Sequence, residues 1–195
     1  MMTVREYTKR LDDALTFLNS VELQNEYIDD FPFIQADYIK ERHAMGEVDM
    51  WPNAQGEFGR TPTNPILVNE TWGEITYLSR LVTADGQRMI FHRLGSGAGA
   101  LDIFELVSEG GTFYDRLFVD MYHRHCSKIA PTGYTLLKTI DGITGTSERI
   151  ADFPDDVCAT LVHTAINKFA AAVVSYSVAK FDEDKAAELL KRVRG

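Results

Sequence analysis

The sequence predicts an α+β fold: an N-terminal helix, a curved antiparallel β-sheet of four to six strands arranged as meander hairpins, and C-terminal helices packed on one sheet face. Three observations lead there. Asp85-Gly86 sits between two β-prone runs, Gly110-Gly111 sits between two more, and the chain beyond Phe153 shifts to helical spacing with almost no charge.

The first element follows from periodicity. Val4, Tyr7, Leu11, Ala14, Leu15 and Leu18 recur every three or four residues, and Arg5, Glu6, Lys9, Arg10, Asp12 and Asp13 fill the other side. That pattern is an amphipathic helix over 3–19 with one face on the core. Asn19-Ser20 ends it. Phe31-Pro32-Phe33 interrupts the next stretch, and 34–45 suits a second short helix, so 1–45 reads as helical.

Residues 46–73 read as an irregular loop. Pro52, Gly56, Gly59, Pro62, Pro65 and Gly73 break both helix and strand. Trp51, Phe58 and Trp72 need something to pack on, so the segment is a structural wrap pinned by two tryptophans or a lid over a binding site.

The sheet is expected over 74–140. Strands over 75–82 and 88–94 flank Asp85-Gly86. With that pair as a two-residue turn, Leu81 faces Ile90, Ser79 faces His92 and Tyr77 faces Leu94. Ser79 and His92 then make a satisfied hydrogen bond inside the core or, if their face lines a cavity, serve with Tyr77 as polar handles in an apolar pocket, while Arg93 on the other face receives a carboxylate ligand or meets surface acids. A second hairpin pairs 101–108 with 113–123 around Gly110-Gly111, which sets Glu105 opposite Arg116 as a favourable cross-strand charge pair. The 95–100 segment joins the hairpins, and 134–139 adds a fifth strand.

Residues 153–194 read as helical. Asp155 and Asp156 suit a first turn. Val157, Leu161, Ala165, Phe169, Val173 and their neighbours make a broad apolar stripe, and Lys168 is the one charge between Asp156 and Lys180. A helix that lacks charge on every side is covered, by its own domain or by a second copy.

Composition bounds the rest. A chain of 195 residues, 45% hydrophobic and 25% charged, suits one globular domain. A net charge of -9 disfavours nucleic acid, whose phosphates it repels. With 2 cysteines, no apolar run of membrane-spanning length and no leader-like start, the expectation is a cytoplasmic protein that neither enters nor crosses a membrane.

The chemistry-bearing cluster is Asp120 to Cys126. His123 and His125, two apart on an extended chain, point the same way and can pair with Asp120 or Glu105 for proton transfer. The same spacing begins a metal site without completing it. Neither a metal nor another cofactor is implied. Cys126, next to His125, points to the opposite face, which argues against an activated thiol. The glycines of 95–99 resemble a phosphate loop superficially, but neither a lysine nor a helix follows.

Two functions remain. The first is a non-enzymatic binding or protein-interaction module, self-associating as a dimer through the uncharged helix or docking a protein partner, with room for a small-molecule ligand. The second is a hydrolase-type or metal-assisted enzyme using Asp120, His123 and His125 in a pocket lidded by 46–73. Tyr77, Ser79, His92, Arg93, Trp51 and Trp72 are the candidate ligand-binding residues.

Overall fold

The computed structural model describes residues 9, 12–13, 16–20, 22, 37–140, 142–151, 153–154 and 183–194. The apolar stripe of the uncharged helix, 157–177, lies outside the described residues, as does most of the helix expected over 3–19. In chain order the described elements are α1 (Asp37–Ala44), β1 (Ile66–Leu67), α2 (Glu70–Ser79), β2 (Leu81–Thr83), β3 (Met89–Ser96), β4 (Asp102–Ser108), β5 (Tyr114–Asp120), β6 (Tyr134–Leu136), β7 (Gly145–Thr146) and α3 (Glu183–Arg194). The fold is mixed α/β. A five-stranded sheet runs β1-β5-β4-β3-β7, and β2-β6 form a second, two-stranded sheet. The three central strands are antiparallel, but β1 and β7 pair in parallel at the two edges. The sheet is thus mixed, not the purely antiparallel meander expected.

The β4–β5 hairpin keeps the expected register. Glu105 lies opposite Arg116, and Ser108 N–H donates to Phe113 O at 2.8 Å across the Glu109–Thr112 loop. The Ser108 hydroxyl closes that loop by accepting from the backbone of Thr112 and Phe113.

The first hairpin departs from expectation in two ways. Residues 75–79 belong to α2, not to a strand. Ile75, Thr76 and Tyr77 favour strands and alternate convincingly, yet Gly73 to Ser79 are all buried. Packing on every side overrides a propensity worth about 1 kcal/mol per residue at most. The first backbone bond of α2 runs from Gly73 N to Asn69 O at 2.8 Å, and a Cβ on Gly73 would press on Val68 at 3.1 Å, so helix and chain meet tightly here. The turn itself is real but one residue longer. Thr83 N–H donates to Gln87 O at 2.9 Å, Val82 bridges Arg88, and Gly86 takes the left-handed conformation with φ +82. Ser79 ends α2 and so does not pair with His92, whose strand neighbours are Glu105 on β4 and Thr146 on β7.

The expected fifth strand is β6, which pairs with β2. Buried Ile66, Ile75, Leu78, Phe91, Phe104 and Leu117 belong to the core between α2 and the sheet. Leu18, 1% exposed, joins it from the N-terminal segment, and Asn19 exchanges two 3.0 Å hydrogen bonds with the backbone of Ile140.

Candidate functional site

The chain leaves β5 at Asp120 and continues alongside 67–70. Val68 N–H donates to Asp120 O at 2.9 Å, and His123 N–H donates to Val68 O at 3.1 Å. This pairing turns Asp120 and His123 toward each other, and both side chains are buried. His123 Nε2 lies 2.9 Å from Asp120 Oδ2. The same oxygen forms an ion pair with Arg42 Nε at 2.8 Å and accepts from Trp51 Nε1 at 3.1 Å. Trp51 Nε1 is also 3.4 Å from His123 Nε2. A single proton on His123 Nε2 satisfies the shorter contact to the carboxylate, so Trp51 donates to Asp120 and not to the ring. His123 Nδ1 is then a lone pair, buried and with no partner.

Arg42 arrives from α1. Its guanidinium lies 5.4 Å from the Tyr38 ring, 5.6 Å from Trp51 and 5.6 Å from Tyr122, and Nη2 donates to Gly99 O at 2.8 Å. Three aromatic faces suit a weakly hydrated planar cation. Its Nη1 is buried with no partner. Burial, with Tyr38 beside it, pushes the Tyr122 phenol up to about 12, so it stays protonated.

A second acidic group adjoins. Asp102, at the start of β4, is gripped by Arg93 through Nη2 at 2.9 Å and Nε at 2.8 Å and accepts from Ser96 Oγ at 2.7 Å. Glu74 of α2 is 1% exposed. Burial, then the neighbouring Asp102, drives its carboxyl well above the ordinary range, so Glu74 holds its proton more tightly than a free carboxyl.

His125 does not join His123. Its Nε2 faces Asp49 Oδ1 at 3.4 Å. Asp49 also accepts from Lys128 N at 2.6 Å, and its carbonyl accepts from Ser127 Oγ at 2.8 Å. These bonds fasten the irregular loop beside β5 and so hold Trp51 over Asp120. Of the two tryptophans of the irregular loop, Trp51 reaches Asp120 with its indole N–H. Trp72 packs edge-on against Phe17, with ring centroids 5.0 Å apart.

The remaining expected ligand residues are spent inside the fold. Tyr77 OH donates to Ile129 O at 2.5 Å, and burial raises its phenol far above the usual range. Ser79 Oγ accepts from Thr144 N at 3.2 Å. His92 Nδ1 accepts from Ile150 N at 3.0 Å, and Nε2 faces Glu105 Oε1 at 2.5 Å. Glu105 therefore serves His92 and not His123 or His125. Burial raises the thiol of Cys126, which makes it a poor nucleophile.

Arg42, Asp102 and Glu74 had no signal in the sequence, because each reaches the site from an element whose direction depends on tertiary packing. Among the described residues, no group of three or more His, Cys, Asp or Glu side chains is placed to hold a metal ion, and no helix is long and apolar enough to cross a membrane. Comparison with protein families, with curated proteins and with solved structures finds no match to this chain.

Proposed function

We propose that this chain is a hydrolase-type enzyme whose acid–base centre is the Asp120–His123 pair, with the Trp51 loop as its lid. One observation carries the reading: Asp120 Oδ2 gathers Arg42, His123 and Trp51 within 3.1 Å, which orients the imidazole and leaves Nδ1 buried and unpartnered. A carboxylate on one ring nitrogen and a free lone pair on the other is the arrangement a general base needs. Asp120 orients the ring, His123 Nδ1 takes and returns the proton, and Trp51 excludes water. His125 acts at one remove by anchoring the loop through Asp49. Because His123 and His125 serve different carboxylates, acid–base chemistry is favoured over the metal-assisted form.

A panel of chromogenic carboxylic, phosphoric and glycosidic esters tests this. Turnover of one class by the wild type should fall roughly 10²–10⁴-fold in His123→Gln, the contribution of a positioned base. Equal turnover by both proteins, or none by either, sinks the reading.

A second reading keeps support from the sequence. With Lys168 as the single charge between Asp156 and Lys180, the 157–177 stripe favours a self-associating binding module in a reducing, cytoplasmic setting. Light scattering decides: a dimer that Ala171→Glu or Val173→Glu splits without unfolding supports it, and a well-behaved monomer removes it.

A further inference from the structure

We infer that Arg42 is the oxyanion-binding group of this centre and that the site takes a neutral acyl compound, a carboxylic ester or amide, rather than a phosphate ester. The inference rests on the proposed acid–base reading of Asp120 and His123. Two unpartnered buried atoms support it. Arg42 Nη1 has N–H groups with no acceptor, and His123 Nδ1 has a lone pair with no donor. A buried donor left unmade is costly, and both atoms belong to side chains held on one oxygen, Asp120 Oδ2. Each sits on a group whose other nitrogen contacts that oxygen, and they ask for opposite things: an acceptor oxygen at Arg42 and a donor O–H at His123. A carbonyl group with an attacking water supplies both.

Charge selects the class. Among the described residues, the two arginines at this centre are already balanced, Arg42 by Asp120 and Arg93 by Asp102, which disfavours a phosphate dianion. The aromatic faces of Tyr38, Trp51 and Tyr122 hold the guanidinium plane, which makes it a pre-oriented donor, not a mobile counter-ion. In the step, His123 Nδ1 takes a proton from water and the water oxygen bonds to the acyl carbon. The carbonyl π pair moves to oxygen, where Arg42 Nη1 donates to it. On collapse that pair re-forms the carbonyl, the bond to the leaving alkoxide or amine breaks, and the departing group takes the proton back from His123. Ester and water give acid and alcohol with no other reactant.

The test uses the full chain with p-nitrophenyl butyrate and p-nitrophenyl phosphate. The wild type should turn over the butyrate faster than the phosphate. Arg42→Lys keeps a cation on Asp120 but loses the fork. It should lower kcat on the butyrate about 10²–10³-fold, the loss expected for one oxyanion donor, with KM within about twofold and the pH profile unmoved. If His123→Gln is inactive while Arg42→Lys keeps full kcat, the acid–base reading stands and this inference falls. Faster turnover of the phosphate also overturns it. If the wild type turns over neither, the enzyme reading fails, and benzamide binding decides this one by Trp51 emission in a Trp72→Phe background. A saturable change that is lost in Arg42→Gln supports the acyl-binding site, and no change overturns it.

Discussion

His92 on β3 and Glu105 on β4 stand directly opposite each other and meet at 2.5 Å, both fully buried. Ile150 N–H occupies the other ring nitrogen, Phe153 stacks on the ring at 4.2 Å, and Arg194 of α3 forks onto the Glu105 carboxylate at 2.5 and 3.0 Å. Burial opposes the charge on Glu105, but the bonds from His92 and Arg194 outweigh it and hold the carboxyl below its ordinary range. A carboxylate depressed in the folded state contributes stability above its unfolded pKa and loses it as pH falls through the folded value. Arg194→Gln should therefore cost about 1–2 kcal/mol at neutral pH, less than a fully buried pair because the Arg194 side chain is 45% exposed. The two stability curves should converge in acid, where Glu105 is protonated in both proteins. Urea unfolding from pH 3 to 8 measures this, and a cost that does not change with pH contradicts it.

Glu74 makes the opposite prediction. Burial and Asp102 raise its carboxyl well above the ordinary value of 4.5, so the folded protein holds a proton that the unfolded chain releases. That contribution is complete below the unfolded pKa and is lost as pH rises toward the folded one, at up to about 1.4 kcal/mol per pH unit. Glu74→Gln keeps the shape, stays neutral and can still donate to Asp102. Its stability should match the wild type near pH 4 and exceed it at pH 8 by roughly 1–3 kcal/mol. A variant less stable than the wild type at pH 8 would show that Glu74 is ionised.

What was legible in the sequence follows how local each signal is. The β4–β5 register could be read because the Gly110-Gly111 loop fixes it within a few residues. The charge pair meant to support it is not what holds it, since Glu105 turns to His92 and Arg194. Asp120 and His123 could be read as partners because they lie three positions apart at a strand end. Arg42 could not, because its place depends on where α1 docks. Helix α2 was hidden by β-prone residues in a segment buried on all sides, where alternation and helical spacing look alike. The His92–Glu105 pair was not legible because the 95–100 connection carries no tight-turn signal and a bulge between Arg93 and Gly95 shifts the β3–β4 register.

Asp120 should matter to stability as well as to the proposed chemistry. Asp120→Ala leaves the buried Arg42 cation without its carboxylate and removes the acceptor for Trp51 and His123. Breaking a buried pair from one side costs about 3–5 kcal/mol. Adding Arg42→Met should recover much of that loss, because an apolar replacement of the whole pair is nearly neutral. Denaturant unfolding of the two single variants and the double variant gives the coupling directly. Additive losses would mean that Arg42 and Asp120 do not depend on each other.

The edge of the sheet offers a steric test. Gly145 on β7 lies opposite Phe91 on β3, and a Cβ there would stand 2.4 Å from both the Phe91 carbonyl oxygen and its Cδ2. A ring can turn away, but a backbone oxygen committed to the sheet cannot, so β7 has to move. Gly145→Ala should cost about 2–3 kcal/mol, the upper range for overpacking. Gly133 makes the comparison clean. It has open space around its missing Cβ but a φ of +88, so Gly133→Ala meets only the conformational penalty, about 1 kcal/mol. Thermal unfolding should rank Gly145→Ala below Gly133→Ala, and both below the wild type. The reverse order would mean that β7 yields to the added methyl. The parallel pairing that carries Thr144 to Ser79, and brings Ile150 to His92, would then be looser than the 3.2 Å and 3.0 Å bonds at those two sites imply.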